Sequence, residues 1–288
     1  MPSKPFHVLP AALSDRGRAE ELLRTSRWRH QHLDWEYALD LMDRDPFLLA
    51  SAGEVLVGCL ACPEEPPGIA WIRLFATHSG STLAEVWEAL WERALARLRP
   101  STPSFAALTQ QAWMKDILGQ SGFRETHAVL FMEWQGGPPP ALPLEGIRFR
   151  PLRFSDLEDL WSIDSRAFAP LWQHSRKALD AALAQSSLAT AAVDMESKMV
   201  GYVLSTFSAL GGHVARLAVV PRHQHRGIGR ALMADTLREL VGRGIQTVSV
   251  NTQSDNARAR ELYVRLGFRE TGQLYPVFER PATSGPPR

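Results

Sequence analysis

Residues 217–233 read LAVVPRHQHRGIGRALM, and this stretch decides how the second half of the chain folds. Its first residues form an apolar run typical of a buried strand, and the apolar spacing from Gly229 onwards predicts a helix. Glycines leave the backbone amides of the intervening turn unshielded, and a helix N-terminus directs N–H groups and partial positive charge towards one point. Because Arg222, Arg226 and Arg230 add positive charge beside it, the turn is suited to a pyrophosphate group.

The glycine spacing separates this turn from two common phosphate-binding motifs. A P-loop requires Gly-Lys-Ser/Thr, and no such sequence follows Gly229. The dinucleotide fingerprint requires a third glycine and an acidic residue on a following strand, and both are missing. On the glycines alone, a plain tight turn remains the alternative to a phosphate site.

The chain contains an internal repeat. Three motifs occur twice in the same order, at offsets of 141, 143 and 145 residues. They are Pro10-x-x-x-Ser14-Asp15 with Pro151-x-x-x-Ser155-Asp156, Val57-Gly58 with Val200-Gly201, and residues 121–126 with residues 266–271. The repeat predicts two copies of one fold at 1–134 and 147–280, joined by a Pro/Gly-rich linker at 135–146 and followed by a flexible tail at 281–288.

Helical and strand patterns alternate along both copies, which predicts an α/β (α+β) fold. In the second copy we expect strands at 147–151, 189–194, 199–209, 213–219 and 247–250, and a last pair of strands within 268–278. We expect its helices at 155–168, from Ser175, at 229–241 and at 256–266. In the first copy we expect helices near 14–24, 33–42, 82–98 and 112–120.

The stretch Gln224-His-Arg-Gly227-Ile-Gly229 resembles the Q/R-x-x-G-x-G/A signature of the GNAT acetyltransferase superfamily. The strand before it is similar to that family's fourth strand, and the segment from Asn256 through Tyr263 to Gly267-Phe268 is similar to its last helix and following strand. The resemblance implies two tandem GNAT domains, each with a mixed, mostly antiparallel central sheet flanked by helices. It also implies acetyl-CoA as co-substrate and no metal.

By this resemblance, acetyl-CoA lies where the fourth and fifth strands separate, and the backbone amide of Val219 polarises the thioester carbonyl. The residues that would hold the pantetheine arm and the pyrophosphate are Leu217, Ala218, Val219, Gln224, His225, Arg226, Gly227, Ile228, Gly229, Arg230 and Asn256. For Asn256 the alternative is a cap of the last helix, a role also open to Asp255 and Ser254.

Tyr263 occupies the position of the family's general acid. A phenol with a pKa near 10 is protonated at pH 7 and can donate to a departing thiolate, although an aromatic residue packing a helix face is the alternative. Family members often carry a catalytic glutamate on the fourth or fifth strand, where this chain has Ala215, Arg216 and Asn251. The base stays open between His213, acting directly or through water, and a residue of the first copy, with a solvated loop position as the alternative for His213.

The first copy lacks these features. Its aligned segment, residues 75–85, has a single glycine and neither proline nor arginine, and Leu118 stands where the second copy has Tyr263. We therefore expect a degenerate GNAT-like domain that is structural or helps to wall the acceptor pocket.

Composition excludes several classes of protein. The formal net charge is +1 and no run of Lys or Arg occurs, so we expect no nucleic-acid partner. No stretch of about 18 apolar residues occurs, so we expect no membrane association and a cytoplasmic location.

Cys59 and Cys62 lack a second pair of ligands and are expected to be buried thiols rather than a zinc site. We expect a monomer whose two copies form an internal pseudo-dimer.

Together these features predict an N-acetyltransferase that moves the acetyl group of acetyl-CoA to a primary amine of a small molecule or a protein. Direct attack within a ternary complex is the expected mechanism. The alternative is a non-catalytic acyl-CoA-binding sensor or scaffold, which the missing strand glutamate favours and the retained Tyr263 and Asn256 oppose.

Overall fold

The computed structural model describes residues 6–78, 83–98, 104–137 and 139–281 of the 288-residue chain. Residue 82, where a predicted helix begins, lies outside these ranges, as do residues 282–288 of the predicted tail. No helix within the described ranges is both long enough and apolar enough to cross a lipid bilayer.

Strands and helices alternate throughout, as the sequence predicts. The strands are β1 (His7–Pro10), β2 (Trp28–Gln31), β3 (Phe47–Ala52), β4 (Val55–Ala61), β5 (Ile69–Trp71), β6 (Leu74–Thr77), β7 (Ser104–Leu108), β8 (Arg124–Gln135), β9 (Arg148–Pro151), β10 (Leu188–Val193), β11 (Met199–Ser208), β12 (Gly211–Val219), β13 (Thr247–Gln253) and β14 (Arg269–Pro281). The α-helices are α1 (Arg16–Thr25), α2 (Leu83–Arg97), α3 (Ala112–Gln120), α4 (Leu157–Ala167), α5 (Arg176–Gln185), α6 (Ile228–Gly242) and α7 (Ala257–Arg265).

The chain forms two compact units, and two strands change unit along their length. The first unit comprises Met1–Thr126 with Tyr275–Arg288, and the second comprises His127–Leu274. Most of β8 therefore belongs to the second unit, and the end of β14 belongs to the first. The repeat copies at 1–134 and 147–280 are defined by sequence and do not coincide with these two compact units. The boundaries of the copies stay a prediction.

In the second unit, the sheet runs in the order β9-β10-β11-β12-β13-β8, and β14 follows beside β8. Strands β12 and β13 are parallel, whereas β13 pairs with β8 in antiparallel register, with Ser249 opposite Glu133. A Cβ on Gly201 would lie 3.5 Å from Leu232 of α6, while the neighbouring Tyr202 hydrogen-bonds Asp164 of α4. Because successive side chains of a strand point to opposite faces, α4 and α6 cover opposite faces of this sheet.

The first unit contains the sheet β1-β3-β4-β6-β2 and a second group of strands, β5-β7-β14. Apolar residues form a separate core cluster on each face, and Cys59 belongs to one cluster and Cys62 to the other. Both thiols are free and buried. Burial raises the pKa of Cys59 to about 12 and raises that of Cys62 as well, which confirms the expectation of buried thiols.

Two predicted elements are wrong. The helix expected near 33–42 is reduced to one 3-10 turn, Ala38–Leu41, and is preceded by strand β2. The longer helix does not form because Trp28–Gln31 pair with β6 immediately before this segment, and because Asp34 and Glu36 are held by ion pairs with Arg73 and Arg44.

The last pair of strands predicted within 268–278 is one continuous strand, β14. Gly272 takes a φ of +80° within it, which is the conformation of a turn, yet the strand continues. The reason is that residues beyond Gly272 have a pairing partner of their own, with Val277 to Pro281 aligned against β7.

The close approach of β11 and β12 gives a prediction for stability. A Cβ on Gly201 would lie 2.8 Å from the backbone oxygen of Ala218, which cannot move without disturbing both strands. We expect Gly201→Ala to lower the free energy of unfolding by about 1–3 kcal/mol, measured by urea denaturation. The matched control is Gly242→Ala at the end of α6, where a Cβ meets nothing within 4 Å and stability should hold or rise. Equal effects of the two variants would contradict the packing argument.

Candidate active site

The candidate site begins where β12 and β13 separate. They pair only at Gly212–Val248, His213–Ser249 and Val214–Val250, although β12 continues to Val219. The register between β11 and β12 shifts at the same point, which leaves Ala215 as an extra residue. Such a bulge bends a strand and increases its twist, which accounts for the separation.

The separation leaves backbone amides of β12 without a neighbouring strand. The N–H of Val220 donates to Val200 at 2.9 Å, so it points towards β11. Backbone groups alternate in direction along a strand, so the amides of Leu217 and Val219 point away from β11 into the gap beside β13. These amides can hydrogen-bond an extended ligand such as the pantetheine arm.

The turn after β12 presents a second set of backbone donors. His225 and Gly227 both have left-handed backbone conformations, with φ of +62° and +80°, and α6 starts directly after Gly227. The N–H of Ala231 donates to Gly227 O, and the three residues before Ala231 are the first turn of the helix, whose amides have no partner within the helix. These residues are Ile228, Gly229 and Arg230. The geometry fits a pyrophosphate at a helix N-terminus.

Two contacts hold this turn in place. Gln224 Nε2 donates to Val219 O at 3.0 Å, which ties the turn back to the end of β12. A Cβ on Gly229 would lie 3.3 Å from the end of the Leu262 side chain of α7, which would have to shift by a few tenths of an ångström to accept a larger residue. Arg226 and His223 line an open pocket of about 310 Å³ next to the turn, together with Leu144 and Glu145 from the predicted linker.

Asn256 caps α7, which answers one question that the sequence leaves open. Its Oδ1 accepts from the N–H of Ala259 at 3.1 Å, and its Nδ2 donates to Gln253 Oε1 at 3.3 Å. Asn256, rather than Asp255 or Ser254, is therefore the N-terminal cap. Its contact with pantetheine stays a prediction.

Tyr263 lies on the buried face of α7. Its ring centroid is 5.6 Å from that of Phe268, so it does pack as a core aromatic. Burial raises the pKa of its hydroxyl well above the usual value of 10, which keeps the group protonated. A protonated hydroxyl can donate a hydrogen bond to a departing sulfur, and its role as the acid stays a prediction.

His213 is oriented by the strand beside it. Ser249 Oγ donates its single hydrogen to Gly212 O at 3.3 Å, and it lies 2.9 Å from His213 Nδ1. In the tautomer with a hydrogen on Nδ1, Ser249 Oγ accepts from Nδ1–H and Nε2 of the ring carries the lone pair. Burial lowers the pKa of His213 below its usual value of 6.5, and the imidazole is therefore neutral at pH 7. A neutral imidazole with a lone pair at Nε2 can accept a proton.

Arg216, one of the positions named in the sequence analysis for a strand glutamate, is engaged in a buried network. Its guanidinium makes hydrogen bonds of 2.7 and 2.9 Å to the fully buried Asp164, and it donates to Trp172 O at 2.7 Å. Asp164 also accepts from Tyr202 at 2.6 Å, and the guanidinium carbon lies 3.7 Å from the Phe168 ring centroid. The network fixes the segment between α4 and α5, and Arg216 is a positioning residue.

A pocket of about 350 Å³ opens beside His213, and most of the residues that line it were not predicted from the sequence. Its lining comprises Glu133, Thr206, Phe207, Ser208, Leu210, Gly211, Gly212, His213, Thr247 and Ser249. Of the site residues predicted from sequence, His213 alone is among them. Sequence reasoning missed Glu133 and Ser249, because Glu133 belongs by sequence to the first copy and Ser249 lies 36 residues from His213.

In the first unit, the corresponding strand edge is covered. Strands β5 and β7 pair in parallel and then separate, as β12 and β13 do, and Thr77 lies opposite Gly58 as Val219 lies opposite Gly201. Here, however, β2 pairs with the edge of β6, with Trp28 aligned against Thr77. The chain itself occupies the edge that stays open in the second unit.

The open edge of β12 and the covered edge of β6 together predict how many acetyl-CoA molecules each chain binds. We expect one acetyl-CoA per chain in isothermal titration calorimetry, because β2 occupies the edge of the first unit. A stoichiometry of two would contradict the interpretation of β2 as a filled edge.

The phosphate turn gives a second prediction. Gly227→Glu should abolish measurable acetyl-CoA binding in the same titration, since it places a carboxylate at a helix N-terminus meant for an anion. The matched control is Gly244→Glu, which has nearly the same backbone strain, with φ of +84° against +80°, and open space around its Cβ. Unchanged affinity in Gly227→Glu would refute the turn as a phosphate site.

Comparison with known proteins agrees with this geometry. The sequence profile described as Acetyltransferase (GNAT) family matches residues 157–268. Over 119 residues, the chain is 30% identical to the ribosomal protein bS18 alanine N-acetyltransferase of Salmonella typhimurium, which covers 41% of this chain and 78% of that protein. Over 142 residues it is 30% identical to the mycothiol acetyltransferase of Kytococcus sedentarius, covering 46% of this chain and 48% of that protein.

A solved tandem GNAT protein from the clavulanic acid biosynthesis pathway has a similar fold along nearly the whole chain. The TM-score is 0.62 at 14% identity, covering 98% of this chain and 100% of that one. This similarity confirms the predicted tandem fold. The profile match and the relatives show that the chain belongs to the GNAT family of acetyltransferases and is an acetyl-CoA-dependent N-acetyltransferase.

Proposed function

We propose that the second unit transfers the acetyl group of acetyl-CoA to a primary amine by direct attack within a ternary complex. The observation that carries this proposal is the position of His213, which lies on β12 at the point where the open edge begins. Acetyl-CoA would supply the acetyl group as a thioester. The acceptor is a small-molecule or protein amine.

Donor binding would use the two sets of backbone amides described above. Leu217, Ala218 and Val219 would pair with the pantetheine arm along the open edge, and the Val219 amide would donate to the thioester carbonyl. The pyrophosphate would lie against the turn and the start of α6, at Gln224, His225, Arg226, Gly227, Ile228, Gly229 and Arg230. The positive φ of Gly227 and the N-terminus of α6 support this assignment.

His213 is the proposed general base. An ammonium group has no lone pair, so the acceptor must lose a proton before it attacks. Because His213 lies six residues before Val219 along an extended strand, Nε2 of the neutral imidazole would take that proton through water, while Nδ1–H stays bonded to Ser249. The buried hydroxyl of Tyr263 would donate a proton to the sulfur as the thiol leaves, and it would regain one through solvent. In the net reaction one N–H hydrogen of the amine is replaced by acetyl, and the ammonium form releases one further proton to solvent.

The first unit is proposed to be structural. Its strand edge is filled by β2, and Leu118 stands where the second unit has Tyr263. Its repeat copy nevertheless supplies residues to the second unit, because residues 127–135 of β8 form a strand of that unit.

The base assignment predicts a distinct pH profile. We expect kcat to rise with pH through an inflection below 6.5, because His213 must be neutral and burial lowers its pKa. His213→Asn retains an amide donor near Ser249 but has no basic nitrogen, and it should lower kcat by about 100-fold and remove this inflection. The measurement is the kcat–pH profile with a panel of primary amines at saturating acetyl-CoA.

Two controls isolate the chemical step. The titrated affinity for acetyl-CoA should be the same in His213→Asn as in the wild type, and His7→Asn, at an exposed residue of β1, should keep the wild-type profile. A His213→Asn enzyme with wild-type kcat and an unchanged inflection would remove His213 from the mechanism.

A further inference from the structure

Four of the ten residues that line the pocket beside His213 carry hydroxyl groups. Thr206 and Ser208 come from β11, and Thr247 and Ser249 come from β13. Hydroxyls both donate and accept hydrogen bonds, so they suit a ligand that carries hydroxyl groups of its own. A volume of about 350 Å³ is near the lower end of the range for ligand pockets, which indicates a molecule about the size of a monosaccharide.

The pocket carries a single negative charge. Glu133 is the one charged side chain among its described lining residues, since His213 is neutral at pH 7 and the lining includes no Lys or Arg. A carboxylate in a pocket attracts a cation and repels an anion. The guanidinium of Arg243 lies 5.6 Å from the ring centroid of the lining residue Phe207, but it is paired with Glu239 at 2.7 Å. An acceptor that carries a carboxylate or a phosphate would therefore find no counter-ion among the described lining residues.

The strand register places Glu133 in line with the proposed base. Glu133 on β8 is directly opposite Ser249 on β13, and Ser249 bonds His213 on β12. Directly opposite residues of antiparallel strands have Cβ atoms about 4.5–5.5 Å apart. Thr206 lies opposite His213 on the next strand, so the row spans four strands on one face of the sheet.

The carboxylate is oriented but retains capacity for a ligand. Glu133 Oε1 accepts a hydrogen bond from Gln135 Nε2 at 2.5 Å. A carboxylate has about four acceptor sites, so further donors, such as an ammonium group or a sugar hydroxyl, can bind.

From this arrangement, and resting on the proposed function, we infer that the acceptor is a small hydroxyl-bearing amine without carboxylate or phosphate, such as an amino sugar or an amino alcohol. We infer further that Glu133 selects it by binding its ammonium form next to His213. The residue reaches this pocket because β8, which belongs by sequence to the first copy, is a strand of the second unit. This gives the degenerate copy a role in specificity.

The test uses acceptor pairs that differ only in an acidic group. The pairs are 2-amino-1,3-propanediol with serine, and glucosamine with glucosamine 6-phosphate, each assayed with the full-length protein and acetyl-CoA. We expect kcat/KM at least tenfold higher for the member of each pair that lacks the acidic group. An alanine-terminated peptide and a lysine derivative complete the panel.

The variant Glu133→Gln tests the selecting residue. It should raise KM at least tenfold for 2-amino-1,3-propanediol with little change in kcat, and it should narrow the preference within both pairs. Glu133→Lys should reverse the preference towards serine and glucosamine 6-phosphate. Glu125→Gln, an equal charge change at an exposed position of the same strand, should leave all values unchanged.

A binding measurement separates recognition from turnover. With the enzyme saturated with CoA, titration of 2-amino-1,3-propanediol should show binding that Glu133→Gln weakens at least tenfold and Glu125→Gln does not. The affinity of both variants for acetyl-CoA should equal that of the wild type, which would show that they are folded.

The outcomes distinguish this inference from the proposed function. Acetylation of the peptide or of the acidic members in preference to the amino alcohol and glucosamine would overturn the acceptor class and leave the transfer reaction standing. A Glu133→Gln enzyme with wild-type preference and binding would overturn the role of Glu133. Binding of acetyl-CoA without acetylation of any amine would instead overturn the proposed function.

Discussion

The separation of β12 from β13 after Val214 is the constraint on which the rest of the second unit depends. A sheet interior normally satisfies every backbone N–H, yet here the amides of Leu217 and Val219 face a gap within the sheet. Unpaired strand edges attract another extended chain, whether from a protein or from a ligand. The open edge, the bulge at Ala215 and the turn leading into α6 are consecutive in the chain, so one local distortion creates both ends of the donor site.

The same distortion accounts for the position of Arg216 in the sheet. The shift of register at Ala215 leaves Arg216 on the face covered by α4, where Asp164 is fully buried. A buried carboxylate is tolerated only with a partner and further hydrogen bonds, which Arg216 and Tyr202 supply. Because Arg216 holds the segment between α4 and α5, we propose proton transfer by His213 on the same strand instead.

Sequence patterns predicted the strand, turn and helix around residues 217–233 well, and they predicted strands that pair over long distances in the chain poorly. The strand, the glycine turn and the helix of the donor site lie within residues 217–233, so their interactions are local and their spacing is informative. Strand β2 and the single strand β14 were missed because each forms in response to a partner far away in the chain, β6 for the former and β7 for the latter. Propensity does not encode such partners, and tertiary pairing overrides it.

The acid and the base illustrate this difference within one site. Tyr263 could be placed from its own motif, since its helix and the following Gly267-Phe268 are adjacent in sequence. The ring of His213 contacts Ser249, which lies 36 residues away in the chain, and its neighbour Glu133 comes from the other copy of the repeat. In the proposed site, donor recognition would use one contiguous segment, whereas acceptor recognition would use strands that only the folded sheet brings together. An acceptor can therefore change through substitutions on β8 while the donor motif stays constant.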